Sequence, residues 1–150
     1  MKNGELHTLI DLLERSCLKF PENAYLWEKR EGGYRSVTYR QTRREVGDVA
    51  AGLLAGGLQK GDRVALLSEG CNDWVFAELG ILYAGGVNVP LSIKLTDKEL
   101  IFRVRHSGAR FLIVSDYYVA TLRRIEAELP EIEKIYVIRY SSAEEGKYNS

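Results

Sequence analysis

From Thr8 to Phe20 the apolar residues Leu9, Leu13, Cys17 and Phe20 recur at steps of four, four and three, with Glu14, Arg15 and Lys19 on the other side. The spacing predicts an amphipathic helix, capped by Thr8 with Asp11 and stopped by Pro21. Ala24 to Arg30 and Tyr34 to Tyr39 carry aromatic and β-branched residues around Gly32 and Gly33, which predicts a hairpin. Thr38 with Gln41 forms a second capping box. Behind it Val46, Val49, Ala50, Leu53 and Leu54 mark one face of a long helix that ends at Gly56 and Gly57.

Beyond Gly61 the rhythm changes to short apolar runs alternating with helical patterns. Strands are predicted at Arg63 to Leu67, Val87 to Val89, Phe111 to Val114 and Ile135 to Ile138. Helices are predicted at Asp73 to Ala84, Asp97 to His106 and Tyr118 to Leu129, the last stopped by Pro130. Thr96 with Glu99 is a third capping box, and Leu95 can staple onto Leu100 across it. Runs such as FLIV and IYVI are apolar at consecutive positions, as strands buried on both faces must be, and each return through a helix implies parallel pairing. The fold class is therefore α/β: a four-strand β-α-β-α-β-α-β parallel sheet flanked by helices, preceded by an N-terminal helix and a hairpin. One domain spans 1–150, divided into helix 8–20, hairpin 24–39, α/β core 40–138 and a polar tail 139–150.

Composition narrows the function by exclusion. The chain has 150 residues, with 21 Lys and Arg against 21 Asp and Glu. A net charge of zero lacks the electrostatic pull that nucleic-acid binders use, so no nucleic-acid partner is expected. Cys17 and Cys71 lack the even spacing of a disulfide framework, the N-terminus has no apolar signal core, and the apolar stretch from Trp74 to Leu91 is broken by Glu78, Gly85, Gly86, Asn88 and Pro90. A cytoplasmic protein without a transmembrane segment is the expectation.

Each candidate for chemistry has a plainer structural reading. Gly56, Gly57 and Gly61 follow a helix and open a strand, the reverse of a phosphate-binding loop. The turn Ser68 to Asn72 lies beyond a strand's carboxyl end, where parallel sheets collect ligands. Cys71 there precedes a helix N-terminus, which can activate a thiol, yet neither His7 nor His106 is placed to serve as its base. Glu69 and Asp116 are reminiscent of phosphoacceptor receiver domains, but the acidic pair and the terminal lysine of such domains are missing; Asp116 as a helix cap is simpler. The basic pairs Arg43-Arg44 and Arg123-Arg124 read as solvated helix faces. Two His and two Cys at scattered positions form no legible zinc site.

Four ordered blocks carry more. Gly57 to Glu69 (GLQKGDRVALLSE), Trp74, Ala84 to Ser92 (AGGVNVPLS), and Ser107 to Arg110 (SGAR) with Asp116 resemble the N-terminal part of adenylate-forming enzymes, with long-chain fatty acid CoA ligases as the nearest branch. Phe20-Pro21-Glu22 and Thr38-Tyr39 fit the same pattern, so the resemblance runs from about Thr8 to Ile138. Gly70-Cys71-Asn72 and Gln41 depart from it. The resemblance implies an enzyme that joins ATP to a carboxylate as an acyl-adenylate and then transfers the acyl group to CoA, with Mg2+ and ATP as cofactors and a fatty acid as substrate.

It also implies that the phosphate loop of Ser/Thr-Gly-Thr-Thr-Gly type, the ribose-binding Asp and the C-terminal catalytic Lys lie outside these residues. The expectation is an N-terminal fragment, inactive alone, without catalytic or metal residues of its own. Ser92 and Lys94 alone are placed toward CoA, with Lys94 as a point charge for a CoA phosphate; a solvated loop lysine is the simpler reading. Peripheral membrane contact and self-association of the fragment are further expectations, the second because a sheet ending at Ile138 leaves an edge open. The competing class is a flavodoxin-like or receiver-type binding module.

Overall fold

The computed structural model describes residues 6–30 and 32–138. Its elements in chain order are α1 (Leu9–Lys19), β1 (Ala24–Arg30), β2 (Gly33–Thr38), α2 (Tyr39–Ala55), β3 (Arg63–Leu67), α3 (Asn72–Tyr83), β4 (Val87–Pro90), α4 (Asp97–Ser107), β5 (Phe111–Ser115), α5 (Val119–Ile125) and β6 (Lys134–Ile138). The predicted polar tail 139–150 lies outside the described residues. No described helix is long and apolar enough to cross a membrane.

All three capping boxes form. Thr8, Thr38 and Thr96 each accept from the amide three residues on, while Asp11, Gln41 and Glu99 reach back to the cap amide. Each box satisfies two helix-end donors that would otherwise have no intrahelical partner, so these helix starts are set locally. Leu95 and Leu100 pack into one cluster, as the staple requires.

β1 and β2 pair antiparallel, and β3 to β6 form a parallel sheet in the order β4-β3-β5-β6. Period-2 alternation divides the two central strands between two helix layers. Val64, Leu66, Phe111 and Ile113 face α2 and α3, packing with Leu53, Ala77 and Ile81. Ala65, Leu67, Leu112 and Val114 face α4 and α5, packing with Leu100, Val104 and Leu122. All eight of these strand residues are buried. α1 is tied to α2 by Leu13, Cys17 and Val46, and the Cys17 thiol donates to the Tyr39 carbonyl at 3.3 Å. Burial raises the Cys17 pKa, which keeps this cysteine a packed thiol.

Four expectations change. Ile135 to Ile138 was read as buried on both faces, but β6 is an edge strand in which only Val137 is buried, because no described strand continues the sheet beyond it. Tyr118 to Leu129 is not one helix: 3-10 turns at Asp116–Tyr118 and Glu126–Glu128 bracket the short α5. Val119, Leu122 and Ile125 are the buried residues of α5, neither 3-10 turn buries a side chain, and Pro130 disfavours helical geometry at Leu129. Leu54 is 52% exposed, because α2 buries Thr42, Val46, Ala50 and Leu53 and carries Leu54 around to solvent. Leu9 and Phe20 of the first helix are exposed as well.

The amino edge of the sheet is framed by ions. Arg63 donates to the carbonyls of Ser107 and Gly108 at 3.2 and 2.8 Å, closing the C-terminus of α4 where Gly108 adopts φ +64°. Arg110 forks onto both Glu133 oxygens at 2.7 Å and reaches Asp62 at 2.8 Å. The Gln59 amide, with Arg110 adding, holds the Asp62 carboxyl below its usual range, and Arg110 does the same to Glu133.

Two tests follow from this packing. α2 and α3 touch through Gly80, where an added Cβ would lie 2.4 Å from Val49 Cγ1 and 2.7 Å from Val49 Cβ. A β-branched neighbour in a helix cannot rotate away, so Gly80→Ala should lose about 1–3 kcal/mol in urea unfolding by overpacking, despite alanine's better helix propensity. Because Asp62 and Glu133 have lowered native pKa values, their contribution is complete above the unfolded carboxylate range and lost as pH falls below about 4. Arg110→Met should lower stability at neutral pH and flatten its acid dependence; an unchanged acid slope would count against the frame.

Candidate functional site

The chain leaves β3 through α3 toward β4, then crosses back through α4 to β5 on the other side of β3. The loops after β3 and β5 therefore diverge at the carboxyl ends of these two strands. In open parallel sheets this switch point is where ligands gather.

Two buried hydroxyls meet one carboxylate there. Ser115, the last residue of β5 and fully buried, donates to Glu69 Oε2 at 2.6 Å. Ser68, 5% exposed at the end of β3, donates to the Glu69 carbonyl at 3.0 Å, with Glu69 Oε2 at 3.4 Å. Cys71 Sγ lies 3.9 Å from Ser68 Oγ. Burial, and secondarily the Glu69 charge, raises the pKa of Tyr118 at the rim. A hydroxyl donating to a carboxylate at 2.6 Å is a charge-assisted bond that couples the two strand ends. Ser115 has no surface through which a substrate could reach it, so the pair is a cross-link and not a nucleophile with its base.

The residues singled out in the sequence are dispersed. Ser92 and Lys94 lie exposed in the loop after β4, where the Lys94 amide reaches Ser92 Oγ at 3.3 Å. The loop is anchored by buried Leu91, whose amide donates to Leu66 at 2.9 Å. Cys71 is the N-cap residue of α3 but makes no capping bond through its side chain. His7 donates its amide to Asp11, and His106 stacks on Phe102, so neither imidazole is engaged with Cys71. Asp116 is exposed inside the first turn after β5; Ser115 occupies the cap position, which corrects the capping role read for Asp116. Gly57 and Gly61 turn the chain at the amino edge, at the other end of β3 from Ser68, and Gly61 donates to the Gly85 carbonyl at 2.9 Å. Among the described residues no group of three His, Cys, Asp or Glu can hold a metal ion.

The blocks singled out in the sequence now have a common place. Gly61-Asp62-Arg63 and Ser107-Gly108-Ala109-Arg110 meet at the amino edge in the ion frame, and the glycines before β4 let α3 end against the sheet. The sequence matches the AMP-binding enzyme family over residues 13–149, a span that includes these blocks.

The chain belongs to the AMP-binding enzyme family. The crotonobetaine/carnitine–CoA ligase of Citrobacter koseri is 30% identical over 107 residues, 71% of this chain and 21% of that protein. The acyl-CoA ligase sidI of Aspergillus fumigatus is 32% identical over 114 residues, 75% of this chain and 18% of that protein. The anthranilate CoA ligase AuaEII, solved with anthranoyl-AMP, has a TM-score of 0.81 at 29% identity, covering 88% of this chain and 25% of that one. The chain thus spans about a fifth of the length of these curated relatives.

The AMP-binding family implies ATP. At the described carboxyl ends of β3 and β5 the buried Ser68 and Ser115 hydroxyls both donate to Glu69, so neither is presented to a phosphate. The strand-end cross-link was not legible in the sequence, because Glu69 and Ser115 are 46 positions apart and meet only through the strand order.

Ser115→Ala should lower stability by roughly 1.5–3 kcal/mol, the range for a hydrogen bond to a charged group. Cys71→Ser should change it little. Equal losses in both variants under chemical denaturation would show that the cross-link does not hold the strand ends.

Proposed function

We propose that this chain is the N-terminal segment of an ATP-dependent, AMP-forming acyl-CoA ligase that acts on long-chain fatty acids in the cytoplasm. The observation that carries the reading is the family match along residues 13–149 in a chain about a fifth as long as its relatives. The long-chain branch rests on the ordered sequence blocks from Gly57 to Asp116; two of the proteins above are named for other acids, crotonobetaine or carnitine and anthranilate. In this reading the segment supplies scaffold: a parallel sheet whose amino edge is framed by Arg63 and Arg110 and whose carboxyl edge faces the reacting groups. Those groups come from residues beyond this segment, together with ATP, CoA and Mg2+.

Within the segment, Lys94 and Ser92 stand for the CoA side, because their exposed loop leaves the carboxyl end of β4. A lysine there meets a phosphate as a point charge without fixed geometry. Adenylation needs preorganised donors around phosphate and a cation at the reacting carboxylate, and loss of such groups costs many powers of ten in rate. Glu69, Ser68 and Ser115 supply neither. Against the receiver alternative stands the Glu69 carboxylate, which is tied to the buried Ser115 hydroxyl.

The purified chain should show no fatty-acid-dependent exchange of labelled pyrophosphate into ATP and no saturable ATP binding in calorimetry. Extension through a hydroxyl- and glycine-rich loop and a C-terminal lysine should restore both. Exchange by the 150-residue chain itself would overturn the scaffold assignment.

A further inference from the structure

We draw no further inference here: the strongest candidate, the groove along the outer face of α4 where exposed Phe102 stacks on His106 between Lys98 and Arg105, has its cations offset by Glu128 and Glu131, and nothing in the structure shows what covers it.

Discussion

The structure depends on the burial of β3 and β5 from both sides at once. Alternate residues of each strand enter different helix layers, so Val64 and Ala65, adjacent in the chain, belong to different cores. The two layers are then coupled: a change of register by one residue in either strand would exchange both cores together. Each strand is only five residues long, and nearly every side chain in it is spent on packing. Polar chemistry is left to the strand ends and the loops.

The two ends of the sheet divide the work. At the amino edge Arg63 takes the last carbonyls of α4, while Arg110 joins Asp62 and Glu133. At the carboxyl edge a single charge-assisted bond from Ser115 to Glu69 holds the central strands where the chain changes direction. The amino frame thus holds Asp62, Arg63 and Arg110, residues of the blocks that carried the resemblance in the sequence.

Much of the fold was determined by the sequence alone. The capping boxes at Thr8, Thr38 and Thr96 act within one helical turn, and the apolar runs of β3 and β5 show double-sided burial without reference to any neighbour. Strand positions, helix starts and parallel pairing were legible for that reason. The identity of β6 as an edge was not, because IYVI reads the same whether a further strand lies beside it or not. Leu54 is exposed and Thr42 buried because the face that α2 buries is chosen by its neighbours α1 and α3 and not by its own periodicity.

Only the tertiary structure decided the strand order, and with it the candidate site. Ser68 and Glu69 draw notice in the chain by their turn alone and Ser115 not at all, until β5 crosses to the far side of β3 and brings Ser115 within 2.6 Å of Glu69. Crossover direction is set by how α3 and α4 bury their apolar faces on opposite sides of the sheet, a global packing outcome that no local window contains. What the sequence carries by itself is the set of parts and the family they belong to; which polar residues become neighbours follows from long-range burial.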